Sequence, residues 1–310
     1  MKRGYYYLLI AFTTGFAFSS CEEDPDPVLP TPTIENVEIG SGNNHIGVIG
    51  RDFHLNADIV AGDKIDFVQV KIEPIAGETY ASDWSFELTW EQFKGAKNAN
   101  VHQHFDIPED AVAGKYEFII IVSDENGTTL EEKAEIQIVD PSDLAVDPIL
   151  YIWMITTDQG DFHYVNETLV NPENVGFSKD EILQSDATIK NVKGDGKMYL
   201  LLIRKDLNHR PESMDAIDFS KVIVYDSFSH EDEQDVDSFG NVIYDGNGGF
   251  LRPAPEFKIG SPVDNNFPAE DLISGENAWK SGEYLFGVVY TNSTYDISLH
   301  HYFELDVTGF

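Results

Sequence analysis

The chain has 310 residues, with 55 acidic against 20 basic side chains and a formal net charge of −35. Such an excess excludes nucleic acid and anionic lipid surfaces as partners and favours cations, cationic partners or neutral glycans. Disorder is excluded as well, because 42% of residues are hydrophobic and 12% aromatic.

The N-terminus reads MKRGYYYLLIAFTTGFAFSSC. Lys2 and Arg3 precede an apolar run from Tyr5 to Phe18, too short for a membrane-spanning helix and of the length of a signal-peptide core. Cys21 is the single cysteine. Its position resembles the lipobox of a bacterial lipoprotein, in which the thiol is lipidated and becomes the mature N-terminus. Phe18 and Ser20 stand where that pattern has Leu and Gly or Ala. Glu22, Glu23 and Asp24 follow, resembling the surface-export signal of Bacteroidota-type lipoproteins. The expectation is an outer-membrane protein held by a lipid and facing the medium. Processing at Cys21 would leave 18 of the 20 basic residues, since Lys2 and Arg3 are lost with the leader. With one cysteine, no intrachain disulfide can form.

Prolines 25, 27, 30 and 32 mark residues 22–33 as an extended tether. Two Asp-Pro pairs frame a second break, and residues 141–150 read as a linker. The parts on either side, 34–140 and 151–310, share a pattern. In AGKYEFIIIVSDENGTTLEEKAEIQI, residues Tyr116, Phe118, Ile120 and Val122 alternate on one face. In SGEYLFGVVYTNSTYDISLHHYFELDV, Tyr284, Phe286, Val288 and Tyr290 do the same. Period-two patterning with aromatic and β-branched residues predicts half-buried strands joined by tight turns. An upstream echo relates 53–74 to 198–226, and Val101–Asp110 to the segment around Asn265 and Asn266. The fold expected is all-β, two tandem immunoglobulin-like β-sandwich domains, the second with insertions. EQFKGAK and SKDEILQS are expected as short helices.

The chemistry-bearing residues concentrate in the first module. His102 and His104 lie two apart in VHQHFD and project to one side of a strand. His54 lies in the first strand, and His45 in the loop before it, so four of the nine histidines belong here. Imidazoles in such numbers suit zinc or copper. Asp52, Asp106 and Glu117 are candidate carboxylates. His163, His209, His230, His300 and His301 read as surface residues. Residues 229–249 offer many hard oxygens, and calcium stays open, but the EF-hand register fails and a mobile acidic loop is expected. Trp84, Trp90 and Trp153 sit in alternating patterns expected in the core. Trp279, in an insertion of the second module, is the candidate for an exposed glycan-binding platform.

Residues 34–139 resemble an uncharacterised family of Ig-like modules in Bacteroidota-type surface lipoproteins. The motifs that carry the resemblance are FHLNADIVAGDKIDFVQVKI, VHQHFDIPEDAVAGKYEF and VSDENG. Family members carry His-Xaa-His before Asp-Ile-Pro and a histidine in the first strand, positions matched by His102, His104 and His54. The resemblance implies a histidine-centred site, although the family's further histidines after Tyr116 are missing in EFII. No Gly-Xaa-Ser-Xaa-Gly elbow, His-Glu-Xaa-Xaa-His helix or phosphate-cradling loop is present. The function expected is therefore non-catalytic: a surface lipoprotein binding an extracellular ligand or surface partner, with a glycan-binding or adhesion accessory of an uptake system as the alternative.

Overall fold

The structure is a computed structural model. It describes residues 28–157, the backbone of 160–165 and 168–170, and residues 176–310. Cys21 and the acidic triplet lie outside the described residues, as does the side chain of His163. The described residues form strands and a few 3-10 turns, with no α-helix.

The first body contains β1 (Thr33–Ile39), β2 (Ile46–Val48), β3 (Asp52–Val60), β4 (Ile65–Pro74), β5 (Phe86–Trp90), β6 (Asn98–Asp106), β7 (Gly114–Asp124) and β8 (Thr129–Val139). They form a three-stranded sheet, β1-β3-β6, and a five-stranded sheet, β2-β8-β7-β4-β5. The alternation read from the sequence explains why the sheets face each other. Phe53, Leu55, Ala57 and Ile59 of β3 turn inward against Val68, Val70 and Ile72 of β4 and Tyr116, Phe118, Ile120 and Val122 of β7. Trp90 is buried there, with Trp84, Phe86 and Leu88 packed against its cluster. The end of the tether docks on this body: the Pro30 carbonyl accepts from Asn126 Nδ2 at 2.8 Å and Thr128 Oγ1 at 3.1 Å. Gly62 permits this approach, because a Cβ there would collide with the same carbonyl.

The second body contains β9 (Ile149–Thr157), β10 (Gly160–Val165), β11 (Thr168–Val170), β12 (Gly176–Ser178), β13 (Ile182–Arg204), β14 (Val222–Gly240), β15 (Ile243–Tyr244), β16 (Phe250–Arg252), β17 (Phe257–Lys258), β18 (Gly282–Asn292) and β19 (Ile297–Thr308). Its organiser is the 23-residue β13. The first half of β13 pairs with β9 and the second half with β18, while β14 runs along its other edge. Register shifts between Ile189 and Gly196 mark the change of partner. The nine-stranded sheet encloses Trp153, Leu200, Leu202, Tyr284, Phe286 and Phe303. The Trp153 indole donates to Ser185 Oγ at 2.8 Å, so its one polar group is satisfied in the core.

Both faces of β13 are apolar near its end. Met198, Leu200 and Leu202 face the main core, whereas Tyr199, Leu201 and Ile203 form a second cluster with Val222, Val224, Leu285 and Val289. That second face must be covered. The connection from β13 to β14 does it, bringing Met214 and Ile217 onto the cluster. Tyr302 Oη on β19 pins the same connection by donating to the Pro211 carbonyl at 2.5 Å.

Three expectations change. EQFKGAK forms turns, and SKDEILQS is a turn followed by the start of β13, where Leu183, Ser185 and Ala187 are buried in alternation. The β7–β8 and β18–β19 hairpins correspond, but the upstream echo does not: β4 pairs with β7, whereas β13, not β14, pairs with β18. Asn265 and Asn266 lie in a loop, while His102 and His104 lie on β6. Residues 229–240 extend β14, so half of the acidic stretch is a paired strand.

Candidate metal centre

The outer face of the three-stranded sheet carries the site. β3 and β6 pair antiparallel, with His54 opposite His104 and Asn56 opposite His102. Because alternate residues point the same way, the inward row Phe53, Leu55, Val101 and Phe105 places His54, His102 and His104 together on the outward side. β1 adds Glu38, whose register partner is Asn56.

The second body covers this face. The connection that shields the second apolar cluster carries Glu212 onto the histidines. Glu212 Oε1 lies 3.1 Å from His104 Nε2 and 3.5 Å from His102 Nε2, and those two nitrogens are 3.3 Å apart. Its other oxygen, Oε2, lies 2.7 Å from His54 Nδ1. His54, His102, His104 and Glu212 each offer a ligand atom, all within 4.8 Å of one another. The imidazole centroids are 5.0 to 5.3 Å apart.

This geometry fits a metal ion. Tetrahedral bonds of about 2.0–2.1 Å set ligand atoms about 3.3 Å apart. The triangle of His102 Nε2, His104 Nε2 and Glu212 Oε1, with edges of 3.1 to 3.5 Å, matches one face of such a tetrahedron. Outer partners orient the imidazoles. Asp52 Oδ2 lies 2.7 Å from His104 Nδ1, leaving Nε2 for an ion, and Glu38 Oε2 lies 3.6 Å from His54 Nε2. His54 is 5% exposed, and its Nε2 is a buried nitrogen without a hydrogen-bond partner.

Without metal, charge balances the cluster. Burial pushes the His54 imidazole down, but hydrogen bonds and charge from Glu212 and Glu38 outweigh it and raise the pKa to about 9. Hydrogen bonds to Asp52 and Glu212 raise His104 to about 10, against a smaller desolvation effect. Burial pushes Glu212 up, yet the His104 and His54 hydrogen bonds hold it well below the usual carboxylate range. The bond to His54 is also the main reason that Glu38 is lowered. For raised histidines the stabilisation is complete below the ordinary value of 6.5 and is lost as pH climbs through about 9 to 10. Urea denaturation in chelator is therefore expected to show metal-free protein losing stability between pH 7 and 10. In a Glu212→Gln variant that decline is shallower; equal slopes would contradict the assignment.

Two clefts between the bodies flank the group. One, of about 500 Å3, is lined by His54, His102 and Glu212 together with Lys205 and Arg210. The other is lined by His54, Asp52, Glu212 and His300. A bidentate ion pair from Arg51 to Asp147, at 2.5 and 2.8 Å, and Asn44 Nδ2 donating to the Asp296 carbonyl at 2.8 Å join the bodies beside them.

The structure brings together three of the four histidines read as ligands. His45 stands outside the group, with Nδ1 2.9 Å from the Glu135 carbonyl. Of the candidate carboxylates, Asp52 supports His104, whereas Glu117 on the other sheet pairs with Lys133 at 2.9 Å. Trp279 is half-buried, stacked against Phe310 and donating from Nε1 to the Ser261 carbonyl at 2.9 Å, which leaves it a packing role rather than a free platform. Three histidines read as surface residues are enclosed. His230 is buried between the Gly194 carbonyl and Tyr290 Oη, at 2.9 Å from each. Desolvation lowers His300, and lowers His301 to about 4. Among the described residues the acidic side chains of 232–247 form no comparable group, and Asp245 Oδ1 instead accepts from the backbone of Asn247 and Gly249.

Fold and site together define an all-β, two-body protein with a metal-ligand group at the junction. Residues 19–139 match the family model described as a domain of unknown function, DUF4625. No curated protein matches the chain. Among solved structures, dimeric latent PorU from Porphyromonas gingivalis aligns at 10% identity and a TM-score of 0.31, over 96% of this chain and 22% of that one. The M60 catalytic domain with CBM51-1 and CBM51-2 domains of Clostridium perfringens ZmpB aligns at 12% identity and a TM-score of 0.15, over 93% of this chain and 40% of that one. The chain thus spans less than half of either, and scores this low do not establish a shared fold.

Proposed function

We propose that this is a non-catalytic, lipid-anchored surface protein that binds a transition metal ion, zinc or copper, at the junction of its two sandwich-like bodies. The observation that carries the metal reading is the triangle of His102 Nε2, His104 Nε2 and Glu212 Oε1, with His54 beside it. Imidazole with one carboxylate suits these ions better than calcium or magnesium, which prefer all-oxygen sets. The anchor at Cys21 and the outward orientation rest on the leader sequence and the acidic triplet after it.

The ligands come from both bodies, so an ion there acts as a clasp. Histidines of β3 and β6 and a carboxylate from the β13–β14 connection meet at one point only when the bodies are docked. Binding to the docked state alone stabilises it in proportion to the logarithm of metal concentration. Titration calorimetry on chelator-treated protein is expected to give one zinc or copper ion per chain, with proton release and an affinity that falls as pH falls, because the imidazoles must be neutral to ligate. Absence of saturable binding of either ion at neutral pH would refute the metal reading.

A further inference from the structure

We propose that the metal centre is a composite site for a small oxyanion, a carboxylate or phosphate group that binds the ion on its open side and the Arg210 guanidinium across the cleft. The inference rests on the metal reading above. The cleft of about 500 Å3 that reaches His54, His102 and Glu212 is lined on its other wall by Lys205, His209 and Arg210. In a chain with 20 basic against 55 acidic residues, such a gathering of basic side chains is unusual.

The three are not equivalent. Lys205 is held by Glu304 at 3.0 Å and Glu283 at 3.6 Å. Nε2 of His209 accepts from the Asp218 backbone N–H at 3.1 Å, and burial lowers its pKa. Arg210 differs: it is exposed, its guanidinium lies 5.2 Å from the centroid of the Tyr302 ring, and it makes no ion pair among the described residues. Stacking on the ring fixes the plane of the fork without using its hydrogen-bond donors. Tyr302 also fixes the backbone through its bond to Pro211, next to Arg210 and one residue before Glu212. One anchor thus sets both the ligand and the cation.

The metal side is accessible too. The His102 and His104 side chains are 46% and 36% exposed, whereas His54 and Glu212 are 6% and 11%. The buried pair closes one side of the ion and the exposed pair leaves the other facing the cleft. Zinc-type centres expand from four to five ligands, which gives an incoming oxygen a place. Carboxylate and phosphate match the planar fork of arginine with two parallel hydrogen bonds, a geometry that lysine does not offer.

The test uses the full chain loaded with cobalt(II), whose absorption reports its ligands. Inorganic phosphate and malonate are titrated separately, and cobalt retention is checked by gel filtration. The expected result is a saturable spectral shift with at least one anion, weakened about tenfold or more in Arg210→Gln while cobalt affinity is unchanged. The anion that gives the shift identifies the oxyanion class. No shift with either anion, loss of cobalt to the anion, or equal anion affinity in Arg210→Gln would overturn the composite site while leaving the metal centre intact. Failure of cobalt to bind would remove both.

Discussion

Replacing Glu212 with alanine is expected to abolish high-affinity zinc binding. Glu212 is the one ligand from the second body, and its two oxygens meet all three histidines. Loss of an outer partner of a metal ligand costs about 10–100-fold in affinity, and loss of the bridging ligand costs more. The same substitution weakens the metal-free protein. His54, at 5% exposure, keeps Glu38 only at 3.6 Å and leaves Nδ1 without its carboxylate. An orphaned buried donor of this kind costs about 1–3 kcal/mol. Calorimetry and urea denaturation read the two effects separately. An alanine variant that bound zinc like the parent would show that the junction carboxylate is not a ligand.

The His102→Ala, His104→Ala double variant is expected to lose zinc and copper binding while retaining the fold. Both side chains lie on the outer face of the three-stranded sheet, and the core beneath is made by Val101, Phe105, Phe53 and Leu55. Surface substitutions of this type change stability by about 0.5 kcal/mol or less, to which the loss of the His104 ion pair with Asp52 adds a modest, partly screened contribution. The contrast with Glu212→Ala separates ligation from packing: one variant should lose the metal and some stability, the other mainly the metal. Unchanged binding in the double variant would leave no metal centre on this face.

The sequence made the first body's half of the site legible for a simple reason. Strand periodicity is local, so His102 and His104 two apart, and His54 in a strand whose alternate residues are apolar, declare their shared side without knowledge of the fold. Asp52 was within reach of the same argument. Glu212 was not, because its position depends on a contact 158 residues away from His54. A signal was present in MYLLLI, where consecutive apolar residues require cover on both faces of β13. That requirement points to the following segment, NHRPESMDAI, as the cover and hence to its polar residues as candidates.

Other residues misled for physical reasons. His45 shares a module with the ligands but sits in a loop with φ of 57°, where no strand register directs it to the outer face. Trp279 occupies an insertion, and insertions need not be exposed; this one folds back so that the indole packs against Phe310 and the main core. The resemblance between the β7–β8 and β18–β19 hairpins reflects a shared local grammar of Gly, aromatic and β-branched residues. It does not extend upstream, because the long β13 takes both β9 and β18 as partners.

The most direct test is a crystal structure of the zinc-soaked full chain with diffraction recorded on both sides of the zinc absorption edge. A single anomalous peak is predicted within about 2.0–2.2 Å of His102 Nε2, His104 Nε2 and a Glu212 oxygen. A map with no peak at the junction, or with zinc held only by side chains elsewhere on the surface, would contradict it.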